Sequence, residues 1–483
     1  MTGDSYHGAS DHSSAARAQG EDLTRLTPPP APAGRSVYEP PRETPVHAVT
    51  DVLVVGGGPA GCAAALAARR LGAEVVLVER YNHLGGLSTG GLVIWIDRMT
   101  DWSGQQVITG IGSELLERLP AEAVAGAPAE LWGSTDEEQA AHWRERQGAF
   151  RGVVTRSPMI DPEWLKLVSA ELLAEAGVRF LLHSWAVDAV RDGSRVSGVV
   201  FESKQGRRAI LADVVIDATG DLDVCRRAGA AFESDAEGSE TNIQHCLNTA
   251  WTWAGVDFAR WIAFKRSDPR AHRELMERAR ESLGYAERPV IGWRDDVAVF
   301  MGPRLHGYSG LDVDDLTQVE FASRRRMAAH LEYFRRHAPG FERAWVMLSG
   351  PQVGVRHTGR VAGRRKMVAE DWKQGVRHAD EIGVSPSPSQ TFANVSVPYG
   401  SLVPVDLGNV LVAGRHIASD SQTQAFMREI PQCWLTGQAA GAAAALCVAR
   451  RVSPEAVDVA ELQSELRRQG AYLQAAEPLA GRA

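Results

Sequence analysis

The fold of this chain is decided by the stretch DVLVVGGGPAG, which spans residues 51–61. Its first five residues are mostly β-branched and apolar, as expected of a strand buried on both faces. An Ala-rich helical segment follows at 62–71, and Gly72 suits the end of a helix. The apolar run EVVLVE at 74–79 then predicts a second strand. Together these segments predict a β-α-β unit.

The glycine spacing of the turn predicts a dinucleotide site. Gly56 permits a tight turn, Gly58 lets a pyrophosphate approach the backbone, and Gly61 lets helix and strand pack closely. The helix N-terminus offers unpaired N–H groups to the phosphates. Glu79 ends the second strand at about the distance expected of the acid that binds the ribose. The predicted contacts here are Gly56, Gly58, Pro59, Ala60, Gly61, Glu79 and Arg80.

Two further stretches indicate that the bound dinucleotide is FAD rather than NAD. They are RYNHLGGLSTGG at 80–91 and VIDATGD at 215–221. Both resemble the large flavoprotein superfamily of glutathione reductase-like fold, in which a Gly-Gly segment runs beside the flavin. The resemblance implies FAD as cofactor, and His83 is a candidate for covalent attachment of the flavin. It also implies contacts from Gly85, Gly86, Leu87, Ser88, Val187, Ala218, Thr219 and Gly220.

Four more stretches resemble a narrower group, the FAD-dependent oxidoreductase family. They are GDLD at 220–223, GVRHTGR at 354–360, VPYGSLVP at 397–404, and the segments 409–414 and 437–441 taken together. The resemblance covers about residues 50–450 and implies a redox enzyme. The chain departs from the family pattern at Leu222, where Gly is usual, and at His357, where an acid is common.

The final helix is predicted over about 432–449, with Pro431 suited to its first turn. A helix N-terminus near the flavin stabilises the negative charge of the reduced ring. We therefore expect 430–434 to approach the isoalloxazine, with Ile430 and Gln432 as contacts. Gly414 and Arg415 complete the cofactor set. Arg415 stands where many related flavoproteins have Asp, and it is expected to bind pyrophosphate or substrate, or to form a surface ion pair.

Oxidation of a substrate often requires a base, and His is the most frequent one. The candidates are His245, His306, His357 and His416, although most histidines in proteins have structural roles. His357 ranks first because it lies in a family-like motif beside Arg356, which with Arg360 could clamp a carboxylate. Tyr399 is expected to face the flavin. The predicted catalytic set is His357, Arg356, His245 and Tyr399.

The predicted fold class is α/β. A Rossmann-like FAD-binding domain combines a parallel sheet with an antiparallel β-meander over 178–211, and a Trp-rich α+β substrate domain is inserted into it. The predicted segments are a disordered or extended tail (1–47), a discontinuous FAD-binding domain (48–100, 151–230 and 396–455), a substrate or cap domain (101–150 and 231–395) and a C-terminal helical tail (456–483).

The amino-acid composition limits the classes of binding partner that we expect. A net charge of −8 and a pI near 6.0 give no reason to expect nucleic acid or an anionic membrane. The five cysteines include no C-x-x-C pair, which argues against a disulfide framework and against a metal site. The N-terminus lacks an apolar export signal, and the longest apolar run, 439–449, is too short to span a bilayer. We expect a cytoplasmic protein that takes a small-molecule substrate; a homodimer is left open.

These observations predict an FAD-dependent dehydrogenase or oxidase that removes hydride from a small organic substrate. The alternative is an FAD-dependent monooxygenase or halogenase that uses NAD(P)H and O2. An RNA-modifying flavoprotein and a non-catalytic flavin-binding scaffold are further alternatives, and the acidic charge disfavours the first of these. The Ala- and Arg-rich composition suggests a bacterial genome and a role in natural-product biosynthesis.

Overall fold

A computed structural model describes residues 35–234 and 246–474. The described residues form two compact units. The larger unit comprises 36–234, 290–294 and 356–474, and the smaller unit comprises 246–289 and 295–355. No helix in the described ranges is long and apolar enough to cross a membrane.

The larger unit is built on a seven-stranded sheet. In chain order its strands are β1 (Val46–Val55), β2 (Val75–Val78), β3 (Arg179–Leu181), β4 (Trp185–Asp192), β5 (Arg195–Ser203), β6 (Gly206–Asp217) and β7 (Val410–Val412). The spatial order is β3-β2-β1-β6-β5-β4, and β7 pairs with the end of β6. β6 is parallel to β1 and β7 but antiparallel to β5. The predicted parallel sheet with a meander is confirmed.

The helices of the larger unit are α1 (Pro59–Arg70), α2 (Pro162–Glu175), α3 (Ser421–Met427), α4 (Ile430–Arg450) and α5 (Val459–Arg468). Shorter helices span Ile111–Glu117, Glu137–Arg144, Asp223–Arg227 and Ala369–Lys373. As predicted, Asp161 caps α2, its side chain accepting a hydrogen bond from the N–H of Glu163, and Pro162 is the first helical residue.

Two predicted strand assignments are wrong. The segment 178–183 was expected in the meander, but β3 pairs parallel to β2. It follows α2, and a helical crossover returns the chain parallel to the strand it left. The first strand begins at Val46 rather than Asp51, because its first residues pair with 209–212 of β6. Of the predicted tail, residues 1–34 lie outside the described part of the chain.

The last long helix, α4, packs directly on α1. A Cβ atom on Gly437 would lie 2.1 Å from the carbonyl oxygen of Ala60, and one on Gly441 would lie 2.1 Å from that of Ala64. The contacts advance in the same direction along both helices, so α1 and α4 are parallel. The glycines thus bring both helix N-termini to the same end of the sheet, where β1, β6 and β7 finish.

The smaller unit has an antiparallel sheet in which Trp251–Ala254 lies between Ala298–Phe300 and Trp345–Ser349. Its helices span Phe258–Ser267, Pro269–Leu283 and Val313–His337, and each has an Asp as N-cap. The core includes Trp253, Phe300, His330 and Phe334, with ring centroids 4.3 Å apart for Trp253–Phe300. The Trp-rich composition of this segment is therefore that of a packed core.

The compact units differ from the predicted domain boundaries. Residues 101–150 and 356–395 belong to the larger unit rather than to a separate cap. The reason is packing. The indole N–H of Trp102 donates to the carbonyl of Ser387 at 3.2 Å, and Gly383 lies against Leu435 of α4. The role of any segment as a substrate domain stays a prediction.

Candidate active site

The Gly-rich turn after β1 forms a cradle with one open position. A Cβ on Gly56 would lie 2.5 Å from the carbonyl oxygen of Ala218, and one on Gly61 would lie 1.7 Å from that of Gly56. These two glycines are required by packing within the protein. A Cβ on Gly58, by contrast, would meet nothing closer than the Cα of Gly86, at 3.9 Å. The turn therefore leaves free space at Gly58, where the sequence predicts the pyrophosphate.

Helix α1 presents its N-terminus to that space. Gly58 is the N-cap residue, Pro59 occupies the first turn, and that turn holds no acidic side chain. The backbone N–H groups of Ala60 and Gly61 have no partner within the helix, as in the first turn of any α-helix. Unpaired N–H groups and the positive end of the helix dipole suit a phosphate.

Glu79 lies at the end of β2 as predicted. Its carboxylate accepts hydrogen bonds from the backbone N–H of Gly57 at 2.6 Å and of Tyr81 at 2.8 Å. Burial raises the pKa of Glu79, an effect that these hydrogen bonds and the nearby Arg80 oppose. A carboxylate has about four acceptor positions. A third backbone N–H, that of Arg80, also acts on this carboxylate, and the acceptor capacity that remains suits a ribose hydroxyl.

The Gly-Gly segment lies against the cradle. The N–H of Gly85 donates to the carbonyl of Gly57 at 2.8 Å, and Gly86 begins a single 3-10 turn with Leu87 and Ser88. The hydroxyl of Ser88 donates to the carbonyl of Gly85 at 2.7 Å. The predicted neighbours of the flavin thus follow the cradle in space as well as in sequence.

An ion-pair cluster lies at the ends of β6 and β7. Asp221 accepts from Arg415 at 2.6 Å and from the hydroxyl of Thr358 at 2.9 Å, and Arg80 lies 4.0 Å away. Burial disfavours the charge of Asp221, but the two guanidinium groups hold the pKa below its usual value. The predicted surface ion pair is therefore a largely buried one, with side-chain exposures of 12% and 4%.

Arg415 is positioned beside the cradle. Gly414 has φ +98°, and a Cβ there would lie 3.2 Å from that of Ala60 in the first turn of α1. The guanidinium of Arg415 lies over Gly220, where a Cβ would be 2.9 Å from its central carbon. Thr219, beside Gly220, donates its hydroxyl to Asp217 at 2.7 Å. The predicted contacts 218–220 and 414–415 therefore surround one end of α1.

The N-terminus of α4 extends beyond this end. Because Gly437 contacts Ala60, the seven residues before it place Ile430 about 10 Å further along the axis. Ile430 and Gln432 are both buried. The side-chain amide of Gln432 donates to the hydroxyl of Ser385 at 3.0 Å, which fixes its orientation because that hydroxyl donates in turn to Pro386.

The buried polar atoms near this end that have no hydrogen-bond partner among the described residues include Nε of Arg415, Nδ1 of His416 and Oε1 of Gln432. His416 donates from Nε2 to the carbonyl of Asp217 at 2.9 Å, so its Nδ1 is a bare acceptor. One open donor and two open acceptors match a ligand with phosphate oxygens, sugar hydroxyls and an imide N–H. The residues present therefore fit FAD.

Sequence reasoning missed an acidic residue at the N-terminus of α4. Glu429 is the N-cap residue of that helix, and its carboxylate lies 3.3 Å from the guanidinium of Arg428. Burial raises the pKa of Glu429; the charges of Arg428 and Arg356 oppose this, and that of Asp97 reinforces it. The available signal was an acid two residues before Pro431, which the sequence places in the first turn of this helix.

The predicted catalytic residues fall in different places. Nε2 of His357 accepts from Arg360 at 2.8 Å, which leaves the ring proton on Nδ1 and disfavours a role as base. Arg360 itself is 2% exposed and donates to Ser419 at 2.6 Å, so the predicted clamp loses one of its arginines. His245 lies outside the described residues, and His306 lies in the smaller unit.

Tyr399 does not lie at the predicted place. Its hydroxyl donates to the carbonyl of Pro454 at 2.8 Å, and its ring is close to Cys447, near the C-terminus of α4. Seventeen residues of helix, about 25 Å, separate Cys447 from Ile430 at the other end. The expectation that Tyr399 faces the flavin is therefore wrong for a flavin at the N-terminus of α4.

Three further features bear on the predicted set. Val187 lies at a bulge, since the pairing of β4 and β5 steps from Ala186 to Asp188 and passes over it. Leu222 has φ 61°, a left-handed conformation that explains why related sequences have Gly there. His83 is buried, with Nδ1 2.7 Å from the side chain of Asn82. All five cysteines are free and buried, and none forms a pair.

Comparison with known sequences yields a match over most of the chain. A sequence profile of the family described as FAD dependent oxidoreductase matches residues 51–466. The chain is 29% identical over 212 residues to digeranylgeranylglycerophospholipid reductase 2 of Methanopyrus kandleri, covering 43% of this chain and 45% of that protein. It is 30% identical over 185 residues to thiamine thiazole synthase of Aeropyrum pernix, covering 36% and 56%. The chain thus spans about half the length of the curated relatives it matches.

Among solved structures, the chain is similar to a geranylgeranyl bacteriochlorophyll reductase-like protein from Thermoplasma acidophilum. The two chains are 15% identical, with a TM-score of 0.39, over 87% of this chain and 83% of the other.

Proposed function

The chain belongs to the FAD-dependent oxidoreductase family, and we propose that within it the protein is a dehydrogenase or oxidase that removes hydride from a small organic substrate. Bound FAD would supply the two-electron acceptor, so that a substrate C–H becomes part of a C=C, C=N or C=O bond. The chain's own residues must then bind the cofactor, orient the substrate and accept the proton that leaves with the hydride.

The observation that carries the proposal is Glu429 at the N-terminus of α4. Removal of hydride from a carbon that bears O–H or N–H requires a proton acceptor, and a carboxyl whose pKa is raised by burial is suited to that task. The positive end of α4 favours negative charge on any group that lies before it. Glu429 therefore replaces His357 as the proposed base, because Nε2 of His357 is occupied by Arg360.

The cysteines support substrate-driven reduction rather than dithiol chemistry. Burial raises the pKa of Cys62, the cysteine on α1, to about 12, and the pKa of Cys433 on α4 likewise. A thiol that stays protonated at neutral pH is a poor nucleophile. No free thiolate is thus provided beside the cofactor cradle. The sequence also lacks a second G-x-G-x-x-G turn for NAD(P)H.

The monooxygenase or halogenase alternative receives less support from this chain. Trp251 and Trp253, which could suggest a halogenase motif, are buried at 1% and 0% exposure in the core of the smaller unit. The placement in the glutathione reductase-like superfamily and the role in natural-product biosynthesis rest on sequence resemblance and composition.

Anaerobic spectroscopy of the FAD-loaded protein tests the proposal. We expect NADH and NADPH alone to leave the flavin oxidised, and a small organic substrate to bleach it. Glu429→Gln should retain FAD but slow bleaching by roughly 10²–10⁴-fold, the usual contribution of a general base. Glu455→Gln, a change at an exposed acid, is the matched control. Rapid bleaching by NADPH alone would favour the monooxygenase alternative instead.

A further inference from the structure

Arg356 is a half-buried cation whose charge acts on Glu429 from beyond hydrogen-bond distance. In the ranges that the structure describes, no hydrogen bond or ion pair engages its guanidinium. Arg360, four residues on, is the opposite case: it donates to Ser419 and His357, and it lies 3.4 Å from Glu233. The two arginines of the predicted clamp therefore have different roles, and only Arg356 is available to a ligand.

The backbone of Arg356 is fixed to the segment that leads into α4. The side-chain amide of Gln424, in α3, donates to the carbonyl of Arg356 at 3.0 Å and lies 3.4 Å from that of Arg415. Gln424 is 1% exposed, and its Oε1 has no donor among the described residues. The backbone of Arg356 is thus tied to a side chain that carries an open acceptor, and the charge of Arg356 reaches Glu429 at the N-terminus of α4.

The charges around Arg356 define the ligand. Glu429 and Asp97 are the acids of this cluster, and Arg428 is paired with Glu429 at 3.3 Å. A guanidinium fork matches the two oxygens of a carboxylate, and such pairs are often bidentate. The acids and the amide oxygen of Gln424 are acceptors, so they suit a ligand that carries an O–H or N–H donor beside its anionic group.

We propose that Arg356 anchors the carboxylate of a small organic acid whose neighbouring hydroxyl or amino group faces Glu429 and Gln424. This inference rests on the proposed function, since it names the class of substrate that the same site oxidises. It assigns Arg356 to binding and orientation. Arg360 is a positioning residue that holds the following loop through Ser419.

Binding to the FAD-loaded protein under anaerobic conditions tests the anchor. The probes are lactate, mandelate and alanine, each compared with its primary amide. Saturable change of the visible flavin spectrum and isothermal titration calorimetry report binding without turnover. We expect at least one acid to bind, with its amide tenfold weaker or more. Arg356→Gln should weaken the acid at least tenfold and leave the amide unchanged, and Arg356→Lys should be intermediate. Arg364→Gln is the control, since that side chain is exposed and paired with Glu455.

Other results would overturn the inference. One is that no acid of the set binds the wild type, and another is that Arg356→Gln keeps the preference for the acid. A third is a lower melting temperature of Arg356→Gln with unchanged acid binding, which would show that Arg356 pairs within the chain. Failure of the proposed function would give different results. The protein would then not take up FAD, or NADPH alone would reduce the bound flavin.

Discussion

The Nη2 atom of Arg415 lies 2.6 Å from Oδ1 of Asp221, at the end of the sheet where the first turn of α1 begins. Related flavoproteins often have an acid at the position of Arg415, whereas here the acid comes from the other strand end. The pair holds a guanidinium beside Gly220 and Gly414, with its Nε free of partners among the described residues. We infer that Arg415 contributes to the phosphate-binding end of the FAD site.

Breaking the Arg415–Asp221 pair should lower both the stability of the protein and its affinity for FAD. Arg415→Gln leaves Asp221 buried without its closest cation, and removal of one partner of a buried pair typically costs about 3–5 kcal/mol. The double variant Arg415→Gln/Asp221→Asn should recover part of that loss in stability but not the affinity for FAD. Urea unfolding of the apoprotein and FAD titration measure the two effects. Arg364→Gln, which breaks an exposed pair with Glu455, should change stability by less than about 1 kcal/mol.

Two glycine substitutions separate packing from ligand binding. Gly58→Ala adds a methyl group that meets nothing within 3.9 Å in the protein, so the apoprotein should keep its stability. FAD affinity should nevertheless fall at least tenfold, because the methyl group occupies the predicted place of the pyrophosphate. Gly437→Ala should instead destabilise the apoprotein by about 1–3 kcal/mol, since its methyl group would lie 2.1 Å from Ala60. Unchanged FAD binding by Gly58→Ala would contradict the assignment of the cradle.

The cofactor half of the site could be predicted because it depends on local geometry. Gly56 and Gly61 are dictated by close approaches that only glycine allows, Gly58 leaves the open position between them, and Glu79 follows at a fixed strand length. Local pattern also predicted most of the sheet. The first half of β6 has the alternating pattern of a meander strand, and its second half has the apolar pattern of a buried parallel strand. Strand β3 was misplaced because its pairing partner is chosen by the helix before it and not by its own pattern.

The catalytic half was predicted less well because it depends on long-range pairing. Arg356 and Arg360 are equivalent in sequence, but only the fold shows that Ser419 and Glu233 engage Arg360. Tyr399 lies in a family-like motif, but its distance from Ile430 is set by the length of α4. Such contacts join segments far apart in the chain, and composition and spacing carry no information about them.

Asp223 should make stability depend on pH near neutrality. Burial, then the charges of Asp221 and Asp217, raise its pKa to about 7, against the opposing Arg80 and Arg415. The folded carboxyl thus keeps its proton where the unfolded one has lost it, so stability falls as pH rises from about 4 to 7 and stays lower above.

Replacement of this carboxyl by an amide should remove the effect. Asp223→Asn is expected to stabilise the protein by on the order of 2–4 kcal/mol at pH 8, since one pKa unit is about 1.4 kcal/mol, and to change little at pH 4. Urea midpoints at the two pH values provide the measurement. Asp213→Asn alters an exposed acid and should show no such difference. Equal effects of Asp223→Asn at both pH values would contradict the account.

His330 should make the smaller unit sensitive to acid. It is 0% exposed, between Trp253 and Phe334, and neither ring nitrogen has a partner in the described ranges. Burial lowers its pKa to about 3. Below pH 6.5 the unfolded chain binds a proton that the folded chain does not, so stability falls toward pH 3 with a slope of up to about 1.4 kcal/mol per pH unit. His330→Phe should remove that slope, and His337→Gln, at an exposed helix end, should retain it. The check is the urea midpoint of tryptophan fluorescence at pH 5 and pH 7, where a wild-type difference that persists in His330→Phe would assign the acid sensitivity to other groups.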